Sequence, residues 1–314
     1  MDNLFFSLNA VLPLFLLVLA GYILKRIGMF SDEWLKTANK FSFRITFSVL
    51  LFYDIYSSEK ISSGYGRLIA FCVLGILIIT ALCYIIVPRM VKERPRAGVV
   101  IQGIFRSNFL LLGMPVAINM FGDEAKAPAA VSVAVVIPLF NVLATLTLTI
   151  FSEKSSRISV KSILKELAMN PLIIGCAAGF LFKVLALRLP IFLDRTFSDI
   201  SDIAVPLALI ILGGQFKVGG FLKNFKLVLA TVLTKLAVIP IILITIAVML
   251  GFRGVELAIL ITVFASPCAV SSSIMAYSMG CDGELAGEIV VLGTLLSVAT
   301  LFSFIFILRT LAFL

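Results

Sequence analysis

Long apolar runs, separated by short clusters of charged residues, cover this chain from end to end. A bilayer-crossing helix needs about 20 mostly apolar residues. Ten candidate spans can be counted on that basis: residues 8–24, 38–56, 68–87, 98–121, 128–151, 171–187, 203–216, 227–251, 257–279 and 289–308. Arg44 interrupts the second, and the seventh is short unless its acidic start, Asp199 and Asp202, enters the membrane. Two runs differ from the rest. Residues 99–122 (VVIQGIFRSNFLLLGMPVAINMFG) carry Arg106, Ser107 and Asn108 near their middle, then Gly113 and Pro115. Residues 257–280 (LAILITVFASPCAVSSSIMAYSMG) carry Ser266 and Pro267, then Ser271, Ser272 and Ser273. Gly and Pro at that depth break a helix and free backbone groups that lipid cannot satisfy. One interrupted span in each half is the pattern of a transporter's binding site.

Charge orders the spans. Connections after odd-numbered spans hold most of the basic residues, among them Arg89, Lys92, Arg94 and Arg96, and later Lys217, Lys223 and Lys226. Connections after even-numbered spans hold few, such as Lys126 and Arg253. The positive-inside rule makes the odd connections cytoplasmic and leaves both termini outside. The acidic connection after span 9, Asp282-Gly283-Glu284, is the exception. The halves also resemble each other. A shift of 158 residues (171 − 13) carries Pro13 to Pro171, Gly21 to Gly179, Lys25 to Lys183 and Gly122 to Gly280. Five spans per half is an odd number, so the second half enters the bilayer inverted. The expected organisation is a first repeat over 1–151, a cytoplasmic connecting segment over 152–169 and a second repeat over 170–314. The spaced apolar residues of the connector suit a short surface helix.

Composition agrees with a membrane protein. Hydrophobic residues make up 61% and charged residues 14%, where a soluble domain has roughly 25% charged. The net charge of +9 is explained by topology and does not call for nucleic acid. The first apolar run reads as a permanent span, because Met1-Asp2-Asn3 lacks the positive start of a signal peptide. The five cysteines have no CxxC spacing and read as small hydrophobes. Histidine is absent, which removes Ser–His hydrolases and many metal sites, and no GxxxxGK[ST] loop offers ATP. Asp54 has no convincing partner for an aspartyl protease. The chain therefore reads as no enzyme.

Depth selects the binding residues. Asn108 stands ten residues into span 4, roughly 15 Å deep, near the midplane. Pro267 reaches a similar depth from the other side. Two broken helices meeting there offer half-helix N-termini, with Asn108, Ser107, Ser266, Ser271 and Ser272 as neutral hydrogen-bonding groups. Pro115 suits the first turn of a half-helix. Such chemistry fits a small carboxylate or a dehydrated cation. Arg106 either attracts an anion or pairs with a carboxylate of the bundle. Lys235, in span 8, either snorkels or acts as a fixed countercharge. Asp54, Lys235 and Glu256 are candidates for coupling, although Glu256 and Glu288 near span ends also suit solvated caps. Asn141 reads as an interhelical hydrogen bond.

The stretches RSNFLLLGMP (106–115), NPLIIGCAAG (170–179) and ASPCAVSSSIMAYSMGCDGELAGEIVVLGTLLSVAT (265–300) resemble the auxin efflux carrier family, and the likeness runs through all ten spans. The family includes bacterial transporters of malonate and other small acids and the plant auxin exporters. The resemblance implies an all-α membrane fold of ten helices in two inverted five-helix repeats, similar to sodium–proton antiporters and bile-acid transporters. It implies a scaffold and homodimer surface from spans 1, 2, 6 and 7. A moving transport unit would comprise spans 3–5 and 8–10, with broken spans 4 and 9 crossed. Asn108 resembles the substrate-facing Asn, and Pro115 and Pro267 resemble the crossover prolines. The plant exporters' long central loop is missing, which matches a bacterial-type member. Ser48 stands where the family commonly has Pro. The reading is a secondary carrier of a small organic anion in the plasma membrane, working by elevator-type alternating access. No cofactor is expected, and proton or sodium coupling stays open. The rivals are a sodium-coupled symporter of the bile-acid type and a non-transporting membrane sensor.

Overall fold

The computed structural model describes residues 16–57, 64–153, 168–169, 171–215 and 218–314. All regular structure among them is helical. Residues 16–26 form a helix. It is followed by α1 (Asp32–Phe41), a π-helical turn π1 (Ser42–Thr46) and α2 (Phe47–Ser57). Then come α3 (Gly66–Met90), α4 (Arg94–Phe105), π2 (Phe109–Gly113), α5 (Met114–Phe121) and α6 (Asp123–Phe151). The second half holds α7 (Pro171–Val184), α8 (Ile191–Gln215), α9 (Val218–Leu233), π3 (Thr234–Val238) and α10 (Ile239–Met249). It ends with α11 (Gly254–Ala265), α12 (Ser271–Ser278) and α13 (Gly283–Thr310). Among the described residues, five helices are long and apolar enough to cross a membrane: α3, α6, α8, the run Asn224–Met249 and α13. The seventh candidate span starts earlier than its hydropathy suggested, because α8 carries Asp194, Asp199 and Asp202 in its leading turns. The connecting segment, of which 154–167 lie outside the described residues, leaves the surface helix undecided.

Proline explains two of the three π turns. Pro115 stands two residues after π2 and Pro240 two residues after π3. Each lacks the amide that would close an α-type bond to the carbonyl four residues back, so the preceding turn is free to widen. Ser48 holds the same position after π1, and its hydroxyl donates to the Phe43 carbonyl at 3.4 Å. The wide turn thus forms here without a proline after it.

Small residues bring helices into backbone contact. A Cβ on Gly179 of α7 would lie 2.5 Å from the Phe52 carbonyl oxygen of α2. One on Gly21 would lie 2.0 Å from the Ile210 carbonyl oxygen of α8. The 158-residue shift turns the pair Gly21/Ile210 into Gly179/Phe52, so both ends of one contact map onto the other. Gly122 and Gly280, related by the same shift, both take positive φ, 59° and 73°.

The charged connections sort to two ends. At one end, Arg94 Nη2 donates to the Ile150 carbonyl (2.7 Å) and Arg96 Nη2 to Asn224 Oδ1 (2.6 Å). Arg96 Nε lies 3.6 Å from Asp282, and the Glu153 amide donates to the Gly280 carbonyl at 3.3 Å. The acidic connection that broke the charge pattern therefore neutralises Arg96, while Asp282 also caps α13 through the Leu285 amide. At the other end, the Arg67 guanidinium bonds the Leu250 carbonyl and stacks 4.3 Å over Phe252. There the Gly254 amide donates to the Phe313 carbonyl at 2.9 Å.

Candidate functional site

The two interrupted helices meet in the interior. α4 stops at Phe105, and Arg106 turns extended (φ −74°, ψ 142°). α11 stops at Ala265, and Ser266 does the same (φ −68°, ψ 148°). The breaks are bonded to each other: the Asn108 amide donates to the Pro267 carbonyl at 2.8 Å. Sequence placed the first break at Gly113 and Pro115. The non-helical residues lie upstream, at Arg106–Asn108, and the Gly113–Pro115 stretch continues as π2 into the first turn of α5. The reason is that Pro115 widens the preceding turn instead of ending it.

Several candidates build the frame of this crossing. Gly113 lies against α11, and a Cβ there would sit 2.9 Å from the Thr262 carbonyl oxygen and 3.0 Å from Ser266 Oγ. Ser266 donates to that same Thr262 carbonyl at 2.6 Å. Ser272 accepts from the Cys268 thiol at 3.2 Å. The Ser272 and Ser273 amides, at the start of α12, donate to the Ala269 and Val270 carbonyls. Pro115 lies in the first turn of α5.

A second group of candidates lines a cavity of about 60 Å³. Arg106, Ser107, Asn108 and Ser271 face it from the crossing and Asn141 from α6, while Phe47, Leu51, Leu172 and Val205 close it from α2, α7 and α8. On the measure by which one water takes about 10–15 Å³, it holds roughly four to six water-sized groups. Arg106 is 4% exposed. Its Nη2 donates to Asn141 Oδ1 and Ser271 Oγ, both at 2.7 Å, and its Nη1 points at Met275 Sδ. All these acceptors are neutral. No carboxylate of a described residue lies within 4.0 Å of the guanidinium. The choice left open by sequence, anion or internal carboxylate, thus falls away from a carboxylate among the described residues. Beside Arg106, Ser107 Oγ and Asn108 Nδ2 are buried without a hydrogen-bond partner among the described residues. Burying an ion without a counter-ion costs several kcal/mol even with neutral hydrogen bonds. The guanidinium thus stands buried with neutral partners alone among the described residues.

Asn141, read from sequence as an interhelical bond, belongs to the site: its amide N donates to the Ile137 carbonyl at 2.9 Å, which turns Oδ1 toward Arg106. Thirty-five residues separate the two, so no local motif could announce the pair. Met275 was missed for the same reason. Lys235 is buried in π3, within electrostatic reach of Cys268 and Cys83, and is not among the cavity-lining residues. Glu256 lies half-buried in the first turn of α11, away from the crossing. Glu288, which suited a solvated cap, is fully buried in α13, where Asn224 and Arg96 stand close. The Asp54 side chain lies outside the described residues.

Two broken helices crossed in the interior of a helical membrane protein are a transporter's arrangement. Comparison with known proteins agrees: residues 6–305 match the family described as "Membrane transport protein". The chain belongs to this family, the auxin efflux carrier family, which is one of transporters and not of enzymes. It is 25% identical over 300 residues to an uncharacterized transporter of Methanothermobacter thermautotrophicus, covering 94% of this chain and 96% of that protein. It is equally similar, 25% over 300 residues, to an uncharacterized transporter of Methanocaldococcus jannaschii, covering 92% and 95%.

Proposed function

We propose that this chain is a secondary carrier of a small organic anion, and that the carboxylate of its cargo binds Arg106, Ser107 and Asn108. The observation that carries the reading is the buried Arg106 guanidinium with only neutral partners among the described residues. A carboxylate suits the remaining guanidinium and amide donors. The cavity volume favours a short-chain acid, malonate-sized, over an indole-sized one. The cationic crossing also favours an anion there over the sodium ion of a bile-acid-type symporter.

Ten spans in two inverted repeats, working by elevator-type alternating access, complete the proposal. The exchanged contact pair Gly21/Ile210 and Gly179/Phe52 supports the repeat. The cavity's two walls support the division of labour: spans 4, 5 and 9 of the proposed transport unit carry the polar residues, and spans 2, 6 and 7 present apolar ones. Movement of one wall past the other would open the cavity to alternate sides. The gathering of Arg94, Arg96 and Asp282 at one end supports a cytoplasmic face there, with both termini opposite, in a plasma-membrane homodimer.

A thermal-shift panel of mono- and dicarboxylates on detergent-purified protein tests the binding step. At least one short acid should stabilise the wild type and leave Arg106→Gln unmoved. Equal shifts in both proteins would remove Arg106 from the site.

A further inference from the structure

A second cavity lies far from the crossing in character. It is a groove of about 450 Å³ between α3 on one wall and α9, π3 and α10 on the other. α3 packs on α4 and α10 packs on α11, which leaves the two outer helices apart. Ile86, Val87 and Val91 line one wall, Ala230 and Ile242 the other, and Val100 and Ile104 of α4 form the floor. Leu82, Ile86 and Ile242 are each at least half exposed. Along α3 the groove runs from Ile78 to Val91. That is about 20 Å at 1.5 Å per residue. One leaflet of a 30 Å hydrocarbon core is about 15 Å deep. The groove is therefore long enough for one acyl chain and opens sideways into the bilayer.

Three basic residues rim its Val91 end. Arg89 follows Ile86 by one turn, Lys92 adjoins Val91, and Lys226 precedes Ala230 by one turn. All three are exposed, and none forms an ion pair with a described residue. The nearby Glu93 leans toward Arg96 at 3.8 Å. An apolar slot of leaflet depth beneath unpaired cations is complementary to one kind of molecule. We propose that the groove binds a single anionic phospholipid, one acyl chain along α3 and its phosphate at Arg89, Lys92 and Lys226. The chain would rest on Val100 and Ile104, six and two residues ahead of Arg106, so the lipid would brace the broken helix that carries the proposed anion site.

Native mass spectrometry of the detergent-purified full chain tests this, titrated separately with dioleoyl phosphatidylglycerol, dioleoyl phosphatidylcholine and soluble glycerol 3-phosphate. Each basic residue near a membrane surface contributes about five-fold in affinity for an anionic lipid. One phosphatidylglycerol should bind the wild type at least ten-fold more tightly than phosphatidylcholine. Arg89→Gln/Lys226→Gln should lose most of that preference and bind phosphatidylcholine as before. Ala230→Phe, or Ile242→Phe at the mouth should the first fold poorly, should weaken both lipids. Equal affinity for the two lipids in the wild type would overturn the proposal. So would a preference that survives the charge variant, or glycerol 3-phosphate displacing the lipid by itself.

Discussion

At the residue scale, the site turns on one uncompensated charge. Arg106 is surrounded by Asn141, Ser271 and Met275, and these take its hydrogens without cancelling its charge. Asn141→Asp tests that arrangement, because it places a carboxylate about where Oδ1 now lies, 2.7 Å from Nη2. An internal salt bridge would raise the melting temperature and remove anion binding together. Retained binding in a stabilised variant would contradict the need for an external counter-ion. Asn108→Ala should weaken the best acid by about 1–3 kcal/mol, the cost of one lost buried partner, with little change in folded yield; titration of purified protein by calorimetry checks it. Arg106, Ser107 and Asn108 were legible in the sequence because polar residues stand out in an apolar run. Asn141 was not, since its role depends on α6 packing against the break. The serines of the second break were legible as polar, yet their bonds to Thr262, Cys268 and neighbouring carbonyls follow from geometry alone.

At the element scale, helix interruption is what brings donors to the crossing. Proline foretold the widened turns, but it marked the turn after the first break and not the break itself. Gly113 belongs to this scale, because its missing side chain lets π2 lie on α11. In Gly113→Ala the new Cβ would meet the Phe109 ring at 2.7 Å as well as Thr262 and Ser266. Overpacking of this kind costs about 1–3 kcal/mol, so the variant should melt lower by thermal denaturation, and its anion affinity should fall as the crossing shifts. An unchanged melting point would show the crossing to be softer than its contacts suggest. Pro115→Ala favours a regular α turn in place of π2, and Pro267→Ala removes a helix breaker between α11 and α12. They should slow uptake into proteoliposomes more than they lower folded yield.

At the scale of the whole molecule, sidedness follows from the ends. Lys92→Cys and Glu124→Cys place thiols at exposed positions on opposite connections. An impermeant maleimide on intact cells should label position 124 and spare position 92. Background should be low, because Cys72, Cys83, Cys176 and Cys268 are buried and burial, with Glu153 and Asp282, pushes the Cys281 thiol up to about 12. Hydropathy made the long apolar helices legible, and the 158-residue shift made the matched close approaches of Gly21 and Gly179 legible. The tie between Arg96 and Asp282 was hidden, because it joins connections far apart in sequence. The central claim is that the cavity at the crossing carries the cargo across. Counterflow of the stabilising acid in proteoliposomes, with wild type and Arg106→Gln at matched protein density, addresses it most directly. The account predicts robust exchange by the wild type and near-background exchange by the variant; wild-type exchange by a folded Arg106→Gln protein would contradict it.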